Sequence, residues 1–115
     1  MEFDRFTIAL LVLRPDAPQL AEPEEAALQD AHMAHLADLH EAGHLLAAGP
    51  LIGPDQAFRG LSITKGNPEG VRRLKEADPA VMADRYSVTI LTRLVPGGAI
   101  SFAPADFPRS MAETA

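Results

Sequence analysis

A chain of 115 residues fits one domain, and its 47% apolar content supplies a core and excludes a disordered chain. The net charge of -6 works against binding a phosphate backbone, and 5% aromatics with no Trp offer no base-stacking platform, so no nucleic-acid partner is expected. Cysteine is absent, which removes disulfides, thiolate metal sites and cysteine nucleophiles together.

Phe3 to Leu13 reads as the first strand, with Phe6, Ile8, Leu10 and Val12 at period two. Its second half is apolar on both faces, as in a central strand covered on both sides or covered on one side by a second subunit. Runs such as Ile8 to Leu13 are far too short to span a bilayer, so no membrane partner is expected. No small-residue cleavage site follows, so a cytoplasmic protein is expected. Arg14-Pro15-Asp16 ends the strand. Helix one starts near Glu22, with Pro23 at a first helical position and Glu24 and Glu25 at the positive end of the dipole. It runs to Ala42, with Gly43 as its C-terminal cap. Its inward stripe reads Leu28, Ala31, His35, Leu36, Leu39 and Ala42, and His32 stands on the edge of that stripe.

Leu45 to Ile52 reads as strand two, broken by Gly49-Pro50. Pro50 lacks an amide donor and marks an edge or a bulge. Phe58 to Thr64 forms strand three, in a hairpin with strand two. Pro68 opens helix two, whose buried face reads Val71, Leu74 and Ala77. The basic cluster Arg72, Arg73 and Lys75 reads as a solvated helix face. Asp78-Pro79 breaks the helix, a short helical turn follows to about Ala83, and Tyr86 to Leu94 forms strand four. The order β-α-β-β-α-β is the ferredoxin-like arrangement, α+β, with a four-stranded antiparallel sheet and two helices on one face. The other face is left apolar and bare. That predicts a homodimer, two sheets packed face to face as a dimeric α/β barrel. The expected division is a domain over residues 1–95 and a C-terminal arm or tail over 96–115. Ile100, Phe102 and Phe107 suit an arm lying on a partner subunit, and fraying is the competing expectation.

The segment Ala31 to Leu51, AHMAHLADLHEAGHLLAAGPL, resembles the helix-to-strand block of the YciI-like (YCII-related) family. His32, Leu39, Gly43, Leu45, Leu46, Gly49 and Pro50 stand at the family's positions without a gap. Lys75 to Ile90, KEADPAVMADRYSVTI, is similar to the family's Ala-Asp-Pro, small helix, aromatic residue and final strand. With Gly60, the resemblance covers roughly residues 5 to 95. It implies a dimeric α/β barrel with a pocket in each subunit and a His–Asp pair, which falls here on His32 and Asp78. Some members look like enzymes acting on ring compounds, by dehydrochlorination for example. The chain departs from the pattern twice. Gln29 stands where the family often has Arg. Leu61 stands where it often has Ser, with Ser62 one position on and facing the other way.

Each candidate residue has a plain structural reading beside its functional one. An imidazole titrates near pH 6.5 and can take or give a proton, and a carboxylate beside it would hold one tautomer. From the helix pattern alone, His32 reads as a satisfied histidine on a buried edge; the resemblance favours catalysis. Asp78 before Pro79 is a good helix N-cap, and one oxygen can cap while the other meets an imidazole. Gly49 and Pro50 either shape a pocket wall or shield a sheet edge. Tyr86 either offers its hydroxyl to a ligand or covers the core. His35, His40 and His44 complete no zinc motif, so neither metal nor organic cofactor is expected. The leading reading is a small lyase- or isomerase-like enzyme, with His32 as acid/base and Asp78 orienting it, acting on a small molecule. The rivals are a non-catalytic dimeric binding or accessory domain and, by fold analogy, a cofactor-free monooxygenase. A His32–Asp78 hydrogen bond opening on a concave pocket favours the enzyme; a sealed pair favours the accessory domain.

Overall fold

In the computed structural model, which describes residues 1–115, β1 (Phe3–Leu13) is the second strand from one edge of a four-stranded sheet. The order is β2-β3-β1-β4, with β2 at Leu45–Pro50, β3 at Phe58–Thr64 and β4 at Tyr86–Pro96. Every neighbouring pair is antiparallel. This is the ferredoxin-like α+β fold. The long helices are α1 (Glu22–Glu41) and α2 (Pro68–Glu76), followed by a single turn, α3 (Pro79–Met82). No helix is long and apolar enough to cross a membrane.

The local signals explain the boundaries. Gly43 takes φ +84° just past α1. There the His44 amide donates to the Leu39 carbonyl and the Gly43 amide to that of His40, so the last turn is satisfied by backbone bonds alone. Asn67 caps α2 by accepting from the Gly70 amide at 2.8 Å, and Pro68 stands at the position where a missing amide costs nothing. Pro50 is tolerated because β2 is an edge strand.

Pairing register sorts the sheet into two faces. Leu11 stands opposite Gly60 and Val88, Ala9 opposite Ser62 and Ile90, and Thr7 opposite Thr64 and Thr92. These residues face the helices, and Thr7, Ala9, Leu11, Ser62 and Thr64 are buried. The alternate set includes Phe6, Leu10, Val12, Leu61, Ile63 and the exposed Leu91, and it forms an apolar face that no helix covers.

The structure differs from the sequence reading at several places. Strand β2 ends at Pro50, and Ile52 is almost fully exposed, because the chain turns away after a last cross-strand bond from the Leu51 amide to the Arg59 carbonyl. Strand β4 continues to Pro96 because it stays paired with β1 as far as Phe3. On α1, Ala42 is exposed, and Ala37, outside the expected stripe, is buried. Ala37 shares a crevice with residues 105–107 and Arg109, so the C-terminal segment covers a second side of the helix. On α2 the buried pair is Val71 and Lys75, one turn apart, and Ala77 is exposed. Lys75 is thus not on a solvated face.

The segment after β4 lies on its own chain. Phe102 meets Phe6 edge-on at 5.5 Å between ring centroids, and Phe107 stacks on His40 at 4.0 Å. The Arg109 guanidinium pairs with Asp38 at 2.9 Å and Glu41 at 2.8 Å. The Met111 amide donates to Asp30 at 2.9 Å. The polar face of α1 supplies these carboxylates.

Candidate functional site

The site begins with a helix cap. Asp78 is the N-cap of α3, and its Oδ1 accepts from the Ala80 amide at 2.8 Å. Its other oxygen, Oδ2, accepts from His32 Nδ1 at 2.6 Å. The packing of α1 against α3 brings together residues 46 apart in sequence. The Asp78 side chain is fully buried and that of His32 is 12% exposed. A carboxylate only accepts, so Nδ1 carries a proton, and in the neutral ring Nε2 is the nitrogen with the free lone pair. The Tyr86 ring stands at 6.3 Å from the imidazole in an edge arrangement and limits its rotation. The Tyr86 hydroxyl accepts from Arg85 Nε at 3.2 Å, and Glu25 holds that guanidinium at 2.8 Å.

His32 opens on a cavity of about 380 Å³ between α1 and the β2–β3 side of the sheet, the size of a small-molecule site. Gln29, Met33 and Leu36 of α1 line it, with Gly49 and Pro50 of β2, Gly60 and Ser62 of β3, and Tyr86 of β4. The five residues singled out in the sequence therefore stand together: His32, Gly49, Pro50 and Tyr86 on the wall, and Asp78 behind His32. The outer wall is Phe107, Pro108, Met111 and Thr114 of the C-terminal segment.

The other histidines are engaged elsewhere. His35 Nε2 donates to the Leu74 carbonyl at 3.0 Å. The His40 ring nitrogens each lie 2.9 Å from a carbonyl, of Leu45 and of Ala105. His44 is exposed. No three His, Asp or Glu side chains converge on a point where they could ligate a metal.

Two features of the site escaped the sequence reading. Ser62 lines the cavity, because it is two positions from Gly60 and shares its face. The buried Lys75 donates to Ser62 Oγ at 3.0 Å. Burial pushes the Lys75 amine below the usual lysine range, and the Asp78 carboxylate pulls it partly back. The spacing Val71–Lys75–Asp78 carried this signal, since Lys75 lies one turn from a buried Val and from the Asp of the pair. The tail's place on the wall had no such signal, for it depends on contacts between distant segments.

Residues 8–95 match the family model of the YCII-related domain. Among solved structures, the chain is similar to 5-chloro-2-hydroxyhydroquinone dehydrochlorinase from Burkholderia phenoliruptrix AC1100, in complex with 2,5-dihydroxybenzoquinone. The identity is 19% and the TM-score 0.54, over 81% of this chain and 95% of that one, a likeness of fold. No curated protein matches the sequence. Both the matched segment and the cavity include His32, whereas the wall formed by residues 107–114 lies beyond the match.

Proposed function

The chain belongs to the YCII-related domain family, and from that premise we propose that it is a small enzyme performing acid/base chemistry on a small molecule, without an organic cofactor. The observation that carries this reading is the 2.6 Å bond from His32 Nδ1 to the buried Asp78, with the ring at a cavity wall. His32 Nε2 takes a proton from the substrate, and Asp78 holds the imidazolium that forms. Returning the proton to a leaving group completes an elimination; returning it to another atom of the same substrate completes an isomerisation. The open cavity favours this over a non-catalytic accessory domain, for which a sealed pair is expected. A structural relative of the same fold, a dehydrochlorinase in complex with 2,5-dihydroxybenzoquinone, supports oxygenated ring compounds as the first substrates to try.

The test is a thermal-shift screen of small metabolites and hydroxylated quinones, followed by turnover assays on the hits. The proposal expects turnover by the natural sequence and its loss in His32→Ala. Hits that bind without being transformed, equally well in both proteins, would leave a binding domain. We further propose that the sheet face opposite the helices packs on a second copy, because Leu10, Val12, Ile63 and the exposed Leu91 lie there, beyond the contact that Phe102 makes with Phe6.

A further inference from the structure

Two charged residues are fully buried, Asp78 and Lys75. Asp78 caps α3 and holds His32; the fold asks nothing comparable of Lys75. A buried ammonium costs several kcal/mol, and an apolar side chain of the same length would fill its place. Its one side-chain hydrogen bond goes to Ser62 Oγ at 3.0 Å. The other buried hydroxyls of this sheet face donate to backbone carbonyls, Thr7 to Gly66 at 2.6 Å and Thr64 to Thr7 at 2.9 Å. Ser62 accepts from Lys75 and donates to no protein group, and it stands at the cavity wall. A hydroxyl backed by a buried cation is a strong donor with its proton still to give.

We propose that Ser62 binds an anionic oxygen of the substrate, a phenolate or enolate, and that Lys75 is the positioning residue that polarises it. This deepens the acid/base reading and rests on it. When His32 removes a proton from such a substrate, negative charge collects on an oxygen, and a donor on another wall of the same cavity stabilises it. Arg59 also lines the cavity, but its Nε is turned to the Gln56 carbonyl at 2.5 Å. The site thus selects small acidic enols and phenols over their neutral ethers.

The probe is 4-nitrophenol, whose phenolate is yellow and whose phenol is not. A charge-assisted donor is expected to bind the phenolate about tenfold more tightly than the phenol. That reads as a drop of about one unit in the pH at which bound probe colours. Lys75→Met, which keeps length and volume, and Ser62→Ala should each abolish the drop. Arg59→Gln and His32→Ala should keep it. Should Ser62→Ala fail to fold with Lys75 stranded, the double variant with Lys75→Met takes its place. A probe that does not bind, no drop in the natural sequence, a drop that survives Lys75→Met, or one that Arg59→Gln alone removes would each overturn the assignment. Loss of turnover is judged separately on His32→Ala, so the acid/base reading can fail while the anion preference stands, and the reverse.

Discussion

Replacing Asp78 by Asn isolates what the carboxylate does for His32. The cap dictates how the amide must sit. Only oxygen can accept from the Ala80 amide, now bonded at 2.8 Å, so the Asn oxygen takes that place and its NH₂ turns to His32. Two donors cannot face each other across 2.6 Å, so the ring proton moves from Nδ1 to Nε2. The nitrogen left for the cavity then becomes a donor and no longer a base. Turnover should fall on the order of 10³- to 10⁴-fold, the scale seen when a catalytic histidine is locked in the wrong tautomer. Stability should change little, because Asn caps about as well as Asp. Asp78→Ala removes the cap, about 1 kcal/mol, and strands a buried ring N–H, about 1–3 kcal/mol more. Nitrogen-15 NMR of the ring reads the tautomer directly and needs no substrate, and denaturant melts read stability. A ring whose tautomer ignores the substitution would mean that the two side chains are not coupled, and the dyad would have to be abandoned.

The other expectations concern the rest of the molecule. Deleting residues 97–115 should leave the sheet folded but remove one cavity wall, weakening ligands found by the screen while the fold persists by circular dichroism; unchanged affinity would show that the wall is idle. Arg109→Ala removes both ion pairs to α1, so chymotrypsin should cut near Phe102 and Phe107 faster than in the natural sequence, with little change in melting temperature. Lys75, whose folded value is lowered, binds its proton more tightly when unfolded. Its burial penalty is present below the folded value and is relieved as pH rises from there towards 10.5, so stability should climb with pH over that window. Lys75→Met should lack this climb, and parallel slopes in urea melts would contradict it. Sedimentation should find a dimer at micromolar concentration, and Ile63→Glu on the uncovered face should shift it to monomer; a natural monomer refutes that interface.

The sequence alone determined the element order, because period-two runs, proline and glycine punctuation and helix caps act over a few residues. β1 and β3 fall where the alternation and turn residues place them, and Gly43 ends α1 by the conformation only glycine adopts cheaply. His32 and Asp78 were legible as candidates through the family resemblance and the Asp-Pro cap. Tertiary structure decided which side chains meet. The bond between His32 and Asp78 exists because α1 packs on α3, and no local rule contains that contact. The same holds for Lys75. By composition it belongs with Arg72 and Arg73 in water, yet it shares the inward side of α2 with Val71 and reaches Ser62 on another strand. The C-terminal segment is the extreme case. Its Pro, Gly and small residues carry no period, and its position comes from Arg109, Phe107 and the Met111 amide finding partners on α1, contacts that exist only once the chain has folded.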